Sequence, residues 1–256
     1  MSREQNGSKG TQLANPLSHL ADYGQAVWFD YIRRSLLTSG GLKRMVDEDG
    51  LRGVTSNPVI FEKAIAGSSD YKESLDLLAS QKGLDAKAIF EKLAVEDIQL
   101  ATNILEPVYR QTHRRDGYVS LEVSPYLAHD TEGTCKEARR LWKAVGRENL
   151  MIKVPATVEG IPAVEQLISE GINVNVTLIF SQEMYEQVAK AYISGLEKLA
   201  SRNGDVSRVA SVASFFVSRI DNAVDALLSE RMASARTPEE RAALKALQAV
   251  SELESA

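Results

Sequence analysis

Six short runs of strand length, each rich in β-branched residues, recur along the chain: AVWFD near 26–30, LRGVTS at 51–56, YVSLEVS at 118–124, LMIKVPA at 150–156, INVNVTLIF at 172–180 and RVASVASFF at 208–216. Between most of them lie helix-like stretches, such as QEMYEQVAKAYISGLEKLASR at 182–202, whose apolar residues return at three- and four-residue steps. A strand followed by a helix, over and over, has to run its strands in the same direction. The helices then cover the sheet, so the pattern implies an α/β fold with a buried parallel sheet.

A chain of 256 residues, 44% of them hydrophobic, can bury a sizeable core. One (β/α) barrel commonly takes about 250 residues, so one large domain is expected. The formal net charge is -5 and the Lys and Arg residues are scattered, which leaves no electrostatic footprint for nucleic acid. A single cysteine, Cys135, excludes an internal disulfide, and no Cys/His cluster has metal-ligand spacing. The first residues, MSREQNGSKGTQ, show no apolar leader, and nowhere do about 18 apolar residues run together, so neither export nor a membrane span is expected. A cytoplasmic location is expected, with residues 1–15 a flexible polar tail and residues 16–256 the barrel domain.

The interval between the second and third strands is long, about 60 residues. It reads as two or three helices with breaks near Gly67, Gly83 and Asp85. Near the C-terminus, Thr237-Pro238-Glu239-Glu240 has the form of a capped helix start. From 221 to 256 the sequence reads as helix only, which gives about six strands where a closed barrel has eight. The expected fold is therefore a TIM-type barrel that is incomplete at its C-terminal end.

Period-2 parity sorts each strand into two faces. On INVNVTLIF, Val174, Val176 and Leu178 fall on one face, and Asn173, Asn175 and Thr177 on the other. On YVSLEVS, Val119, Leu121 and Val123 oppose Ser120, Glu122 and Ser124, which places a carboxylate on the polar face near the strand end. Lys153 lies in the apolar run LMIKVPA just before a proline. Lysines are seldom buried without a purpose, and one withdrawn from water is suited to attack a carbonyl; a lysine that snorkels out or pairs with a carboxylate is the other reading. Asp30 ends the first strand and either does chemistry or caps the next helix, while Asn57 either binds a ligand or stabilises the turn before Pro58. Ser214 lies at the end of the last strand and Arg219 at the start of its helix, where a hydroxyl, a guanidinium and helix N–H groups can hold a phosphate, or form a cap and a surface arginine. His19, His113 and His129 match no triad or metal spacing, Gly40-Gly41 reads as a helix end, and Trp28 and Trp142 read as packing residues.

The motifs WFD, GVTSNP, SLEVSP, MIKVPAT, NVNVTLIFS and ASFFVSRID, in that order, closely resemble the transaldolase family, in particular its longer bacterial branch. The resemblance runs from about residue 15 to about residue 230 and implies a class I aldolase-like barrel. It implies Lys153 as the Schiff-base nucleophile, Glu122 as a proton shuttle acting through a water, and Asp30 as acid/base at the cleaved carbon–carbon bond. Asn57 and Asn175 would hold the dihydroxyacetone hydroxyls, Thr177 would support the water and Glu122, and Ser214 and Arg219 would hold the substrate phosphate. The implied reaction is transfer of a dihydroxyacetone unit from sedoheptulose 7-phosphate to glyceraldehyde 3-phosphate in the pentose phosphate pathway (pentose shunt), with no metal and no cofactor. The alternatives are a related aldolase that releases dihydroxyacetone, and an inactive remnant that binds sugar phosphate or a partner chain. Sugar phosphates are the expected partners, with neither nucleic acid nor membrane among them. A homo-oligomer or a complementing C-terminal fragment is the expected protein partner, because the family's seventh and eighth strands, with a second phosphate-binding basic residue, have no counterpart after Phe216.

Overall fold

The computed structural model describes residues 15–254, without the side chains of 249–254, and divides the chain into two compact units. The expected tail, apart from Asn15, lies outside the described residues. Asn15 caps a short 3₁₀ helix, Pro16–Tyr23, by accepting the Leu17 N–H.

The first unit comprises Met1–Glu122 with Arg140–Met151. Its elements are Val27–Asp30 (β1), Arg34–Thr38 (α1), Gly41–Glu48 (α2), Leu51–Thr55 (β2), Pro58–Ala66 (α3), Lys72–Ala79 (α4), Ala86–Gln111 (α5) and Tyr118–Glu122 (β3). β1 and β2 run parallel with Trp28 opposite Gly53 and Asp30 opposite Thr55, and β2 runs parallel to β3. Gly53 has to lack a side chain, since a Cβ there would collide with the Trp28 indole. The long interval after β2 is filled by the three helices α3 to α5, with Gly67 closing α3 and the Asp85 side chain accepting the Ala88 N–H at 2.8 Å to start α5. Tyr71, Leu78 and Leu93 form the apolar centre of this insertion together with Ala64.

Polar bonds fasten α1 to the insertion. Arg33 grips Asp70 with two hydrogen bonds, 2.7 and 3.1 Å, and Asp70 also accepts the Ser35 N–H at 3.0 Å. Arg34 donates to the buried Asp97, which also accepts the Tyr71 hydroxyl at 2.6 Å. Burial pushes the Asp97 carboxyl up, opposed by the bonds from Tyr71 and Arg34, and burial with the Asp97 contact pushes the Tyr71 phenol up as well.

The second unit comprises Val123–Arg139 with Ile152–Ala256, so Thr131–Val145 (α6) and Leu150–Pro155 (β4) contribute residues to both units. Then follow Gly160–Ser169 (α7), Val174–Ile179 (β5), Gln182–Ser201 (α8), Ser211–Phe215 (β6), Val217–Ser234 (α9) and Pro238–Glu254 (α10). Every residue of β4 is buried, as expected of a parallel strand covered on both faces. Outside it, Arg139 clamps Glu170 with two 2.7 Å hydrogen bonds, and Lys198 pairs with Glu165. The expected start of α10 holds: Thr237 accepts the Glu240 N–H at 3.1 Å, and the Glu240 carboxylate reaches back to the Arg236 N–H.

The strand order is the sequence order, β1 to β6. A doubly wound sheet reverses its order at a switch point; this one does not, which is the succession of a (β/α) barrel. The period-2 parity expected of β5 breaks near its end. Val176 pairs with Ala213 but Ile179 pairs with Phe215, so β5 spends three residues where β6 spends two. The extra residue is Leu178, whose φ of 63° is left-handed and costs a leucine about 1–2 kcal/mol. Ile179, not Leu178, therefore continues the apolar face of Val174 and Val176.

Candidate active site

In the first unit, Asp30 is exposed at the last position of β1. It does not cap α1, whose N-cap is Arg33, and its carboxylate has no hydrogen-bond partner among the described residues. The Asn57 side chain accepts the Ile60 N–H at 2.9 Å and so caps α3, with Pro58 at the first helical position. The turn expected before Pro58 is therefore real, and it leaves the amide NH₂ of Asn57 with no partner among the described residues. Ser56, fully buried, anchors that turn by donating to the Ser120 carbonyl at 2.7 Å. Glu122 is half-buried at the last position of β3.

Sequence reasoning passed over Thr55. Its hydroxyl is buried without a hydrogen-bond partner, and its Cα is the register partner of Asp30. Its alternation with Gly53 and Asn57 in GVTSNP was the available signal.

In the second unit, Lys153 is 6% exposed, and its register partner on β5 is Asn175, 1% exposed. One pair further along, Pro155 is opposite Thr177. Backbone bonds hold this part of β4 on both sides: the Ile152 N–H donates to the Asn173 carbonyl, the Ala156 N–H to the Thr177 carbonyl, and the Lys153 carbonyl accepts the Val123 N–H. Next across the sheet, the Ser214 hydroxyl donates to Asn175 Oδ1 at 2.9 Å. The hydroxyl of Thr177 is buried with no hydrogen-bond partner. A buried hydroxyl without a partner is costly, so a polar group or water supplied from outside the chain would find a ready partner there.

Arg219 lies apart from this column, in the first turn of α9, where its guanidinium stacks over the Phe216 ring at 4.4 Å. Phe216 in turn stacks on Phe180, with ring centroids 5.3 Å apart. Ser214 is not the cap of α9; Phe216 occupies that position and makes no side-chain capping bond, so the first N–H groups of the helix stay available to an anion.

The second unit thus brings Lys153, Asn175, Thr177 and Ser214 together on adjacent strands, with Arg219 at the helix that follows. The first unit carries Asp30, Asn57 and Glu122 at or just beyond strand ends. Among the described residues no group of His, Cys, Asp and Glu is placed to hold a metal ion, and no helix is long and apolar enough to cross a membrane. His129 meets Glu159 and His19 meets Asp22, both at the surface.

A family model described as transaldolase/fructose-6-phosphate aldolase matches residues 27–255. The chain is similar to Transaldolase 2 of Nostoc punctiforme, 53% identical over 208 residues that cover 81% of this chain and 54% of that protein. It is 48% identical over 237 residues to the transaldolase of Trichodesmium erythraeum, covering 92% of this chain and 62% of that one. To Transaldolase 2 of Nostoc sp. it is 49% identical over 219 residues, covering 86% and 57%. The chain spans 54%, 62% and 57% of the lengths of these three curated relatives. With the family model matched along most of its length and relatives near half-identical over most of it, the chain belongs to the transaldolase/fructose-6-phosphate aldolase family.

Proposed function

We propose that this chain carries transaldolase chemistry: transfer of a dihydroxyacetone unit from sedoheptulose 7-phosphate to glyceraldehyde 3-phosphate through a Schiff base, as a step of the pentose phosphate pathway in the cytoplasm. The observation that carries the reading is the buried Lys153 with Asn175 as its register partner and Ser214 bonded to that asparagine.

Lys153 Nζ adds to the ketose carbonyl carbon, and loss of water from the carbinolamine leaves an iminium. Glu122 moves the protons of that step through a water that the Thr177 hydroxyl helps to hold. Asp30 takes the proton from the hydroxyl beyond the bond to be cleaved; the carbon–carbon bond breaks, its electrons enter the iminium to give an enamine, and the aldehyde departs. Asn57 and Asn175 hold the dihydroxyacetone hydroxyls and fix the enamine until an acceptor aldehyde adds. Arg219 and the first N–H groups of α9 hold the phosphate, joined by the Ser214 hydroxyl, which turns from Asn175 Oδ1 to donate to it. Residues 16–256 form the catalytic barrel domain in this reading, and none of its steps calls on a metal or an organic cofactor.

The test is borohydride reduction in the presence of fructose 6-phosphate, followed by peptide mass spectrometry. The adduct is expected on Lys153. An adduct on another lysine, with Lys153 unmodified, would sink the assignment. Release of free dihydroxyacetone without transfer would instead mark an aldolase of the same family.

A further inference from the structure

Leu178 is a non-glycine residue in a left-handed conformation, φ 63°, inside a strand that also carries the Asn175 and Thr177 side chains. Such outliers persist where the surrounding structure fixes them, and they concentrate at functional positions. The register shows what this one does. Val174, Val176 and Ile179 pair with Ser211, Ala213 and Phe215, at two-residue steps along β6, so these three share one face of β5 and are all fully buried. Were β5 regular, Leu178 would pair with Phe215, and Ile179 would fall two residues beyond Thr177 on the polar face. The bulge prevents that. It ends the column Asn173, Asn175, Thr177 at a buried, unpartnered hydroxyl and turns the Leu178 side chain outward, where it is 42% exposed.

We propose that Leu178 is a positioning residue: by holding the left-handed bulge it keeps the Ile179 side chain off the polar face of β5 and so keeps the approach to Lys153 open for a carbonyl compound. This rests on the reading of Lys153 as the nucleophile. The bulge acts through backbone conformation, so what matters at position 178 is tolerance of positive φ, not size or hydrophobicity. Glycine and asparagine tolerate it; β-branched residues do not.

The test compares Leu178→Gly and Leu178→Asn with Leu178→Ile and Leu178→Val, each checked for folding by circular dichroism, with rates expressed per folded molecule. Two readouts on Lys153 are followed by peptide mass spectrometry: the rate of borohydride trapping with fructose 6-phosphate, and the rate of reductive methylation by formaldehyde, which needs no sugar chemistry. Gly and Asn are expected to match the parent, whereas Ile and Val slow both reactions about tenfold or more. A packing role predicts the reverse order, because isoleucine conserves the volume and hydrophobicity that glycine removes. Ile equal to the parent with Gly impaired, or all four variants equal to the parent, overturns the proposal. If Ile and Val do not fold, a tenfold loss in Gly and Asn overturns it and full retention supports it. If methylation follows the expected order but fructose 6-phosphate leaves no adduct on Lys153 in the parent, the inference stands and the sugar-phosphate reading falls.

Discussion

Asp30 and Glu122 are both carboxylates at the last position of a strand, yet one is exposed and the other half-buried. In the proposed mechanism they serve different steps, so their isosteric amides should separate in time. Glu122→Gln is expected to slow formation of the trapped imine, and Asp30→Asn to leave the imine intact but slow its cleavage, each by about 10²-fold. Single-turnover quenching with borohydride reads the two steps independently; equal turnover by both variants and the parent would remove the assigned roles. At this scale the polar column was legible because Asn173, Asn175 and Thr177 alternate with valines, and a buried lysine before a proline stands out in any apolar run. Two residues escaped. Thr55 gains its meaning only from its register against Asp30, and Leu178 from a bulge; both depend on the neighbouring strand, which a period-2 pattern within one strand cannot report.

Among the elements, the three-helix insertion was readable from its caps, while the bonds that fasten it to α1 were not, since Arg33 and Asp70 are 37 residues apart and Arg34 and Asp97 are 63 apart. That fastening depends on pH with a definite sign. The Arg33 guanidinium, helped by Ser35, holds the Asp70 carboxyl well below the usual carboxylate range. Above about pH 4, the ordinary aspartate value, the folded and unfolded states are both ionised there and the contribution is fully present. As the pH falls through that value the unfolded chain takes up the proton first, and the contribution fades toward the depressed folded value. Asp70→Asn is therefore expected to lower the melting temperature at pH 7, with the gap to the parent narrowing between pH 4 and lower values. Thermal melts across that range decide it, and a gap that stays constant or widens in acid contradicts the assignment.

For the molecule as a whole, a closed (β/α) barrel takes eight strands, and the described residues hold six. We propose that full turnover calls on strands beyond these six, supplied by a complementing segment or a partner chain. In the proposed site a phosphate is held by Ser214, Arg219 and helix N–H groups, and one further charge-assisted hydrogen bond would contribute about 1.5 to 3 kcal/mol. Co-expressing the part of a relative that lies beyond the matched region is expected to tighten fructose 6-phosphate binding by about tenfold or more and to raise transfer activity. Equal binding and turnover with and without it would show that the six strands suffice. The sequence holds two tryptophans, and one of them, Trp28, lies with its indole against the bare backbone of Gly53, two residues before Asp30. In a Trp142→Phe background the remaining tryptophan emission comes from that single ring, so the first strand pair carries its own optical reporter, and its fluorescence would register the ligand that the proposed role brings to Asp30, without any attached label.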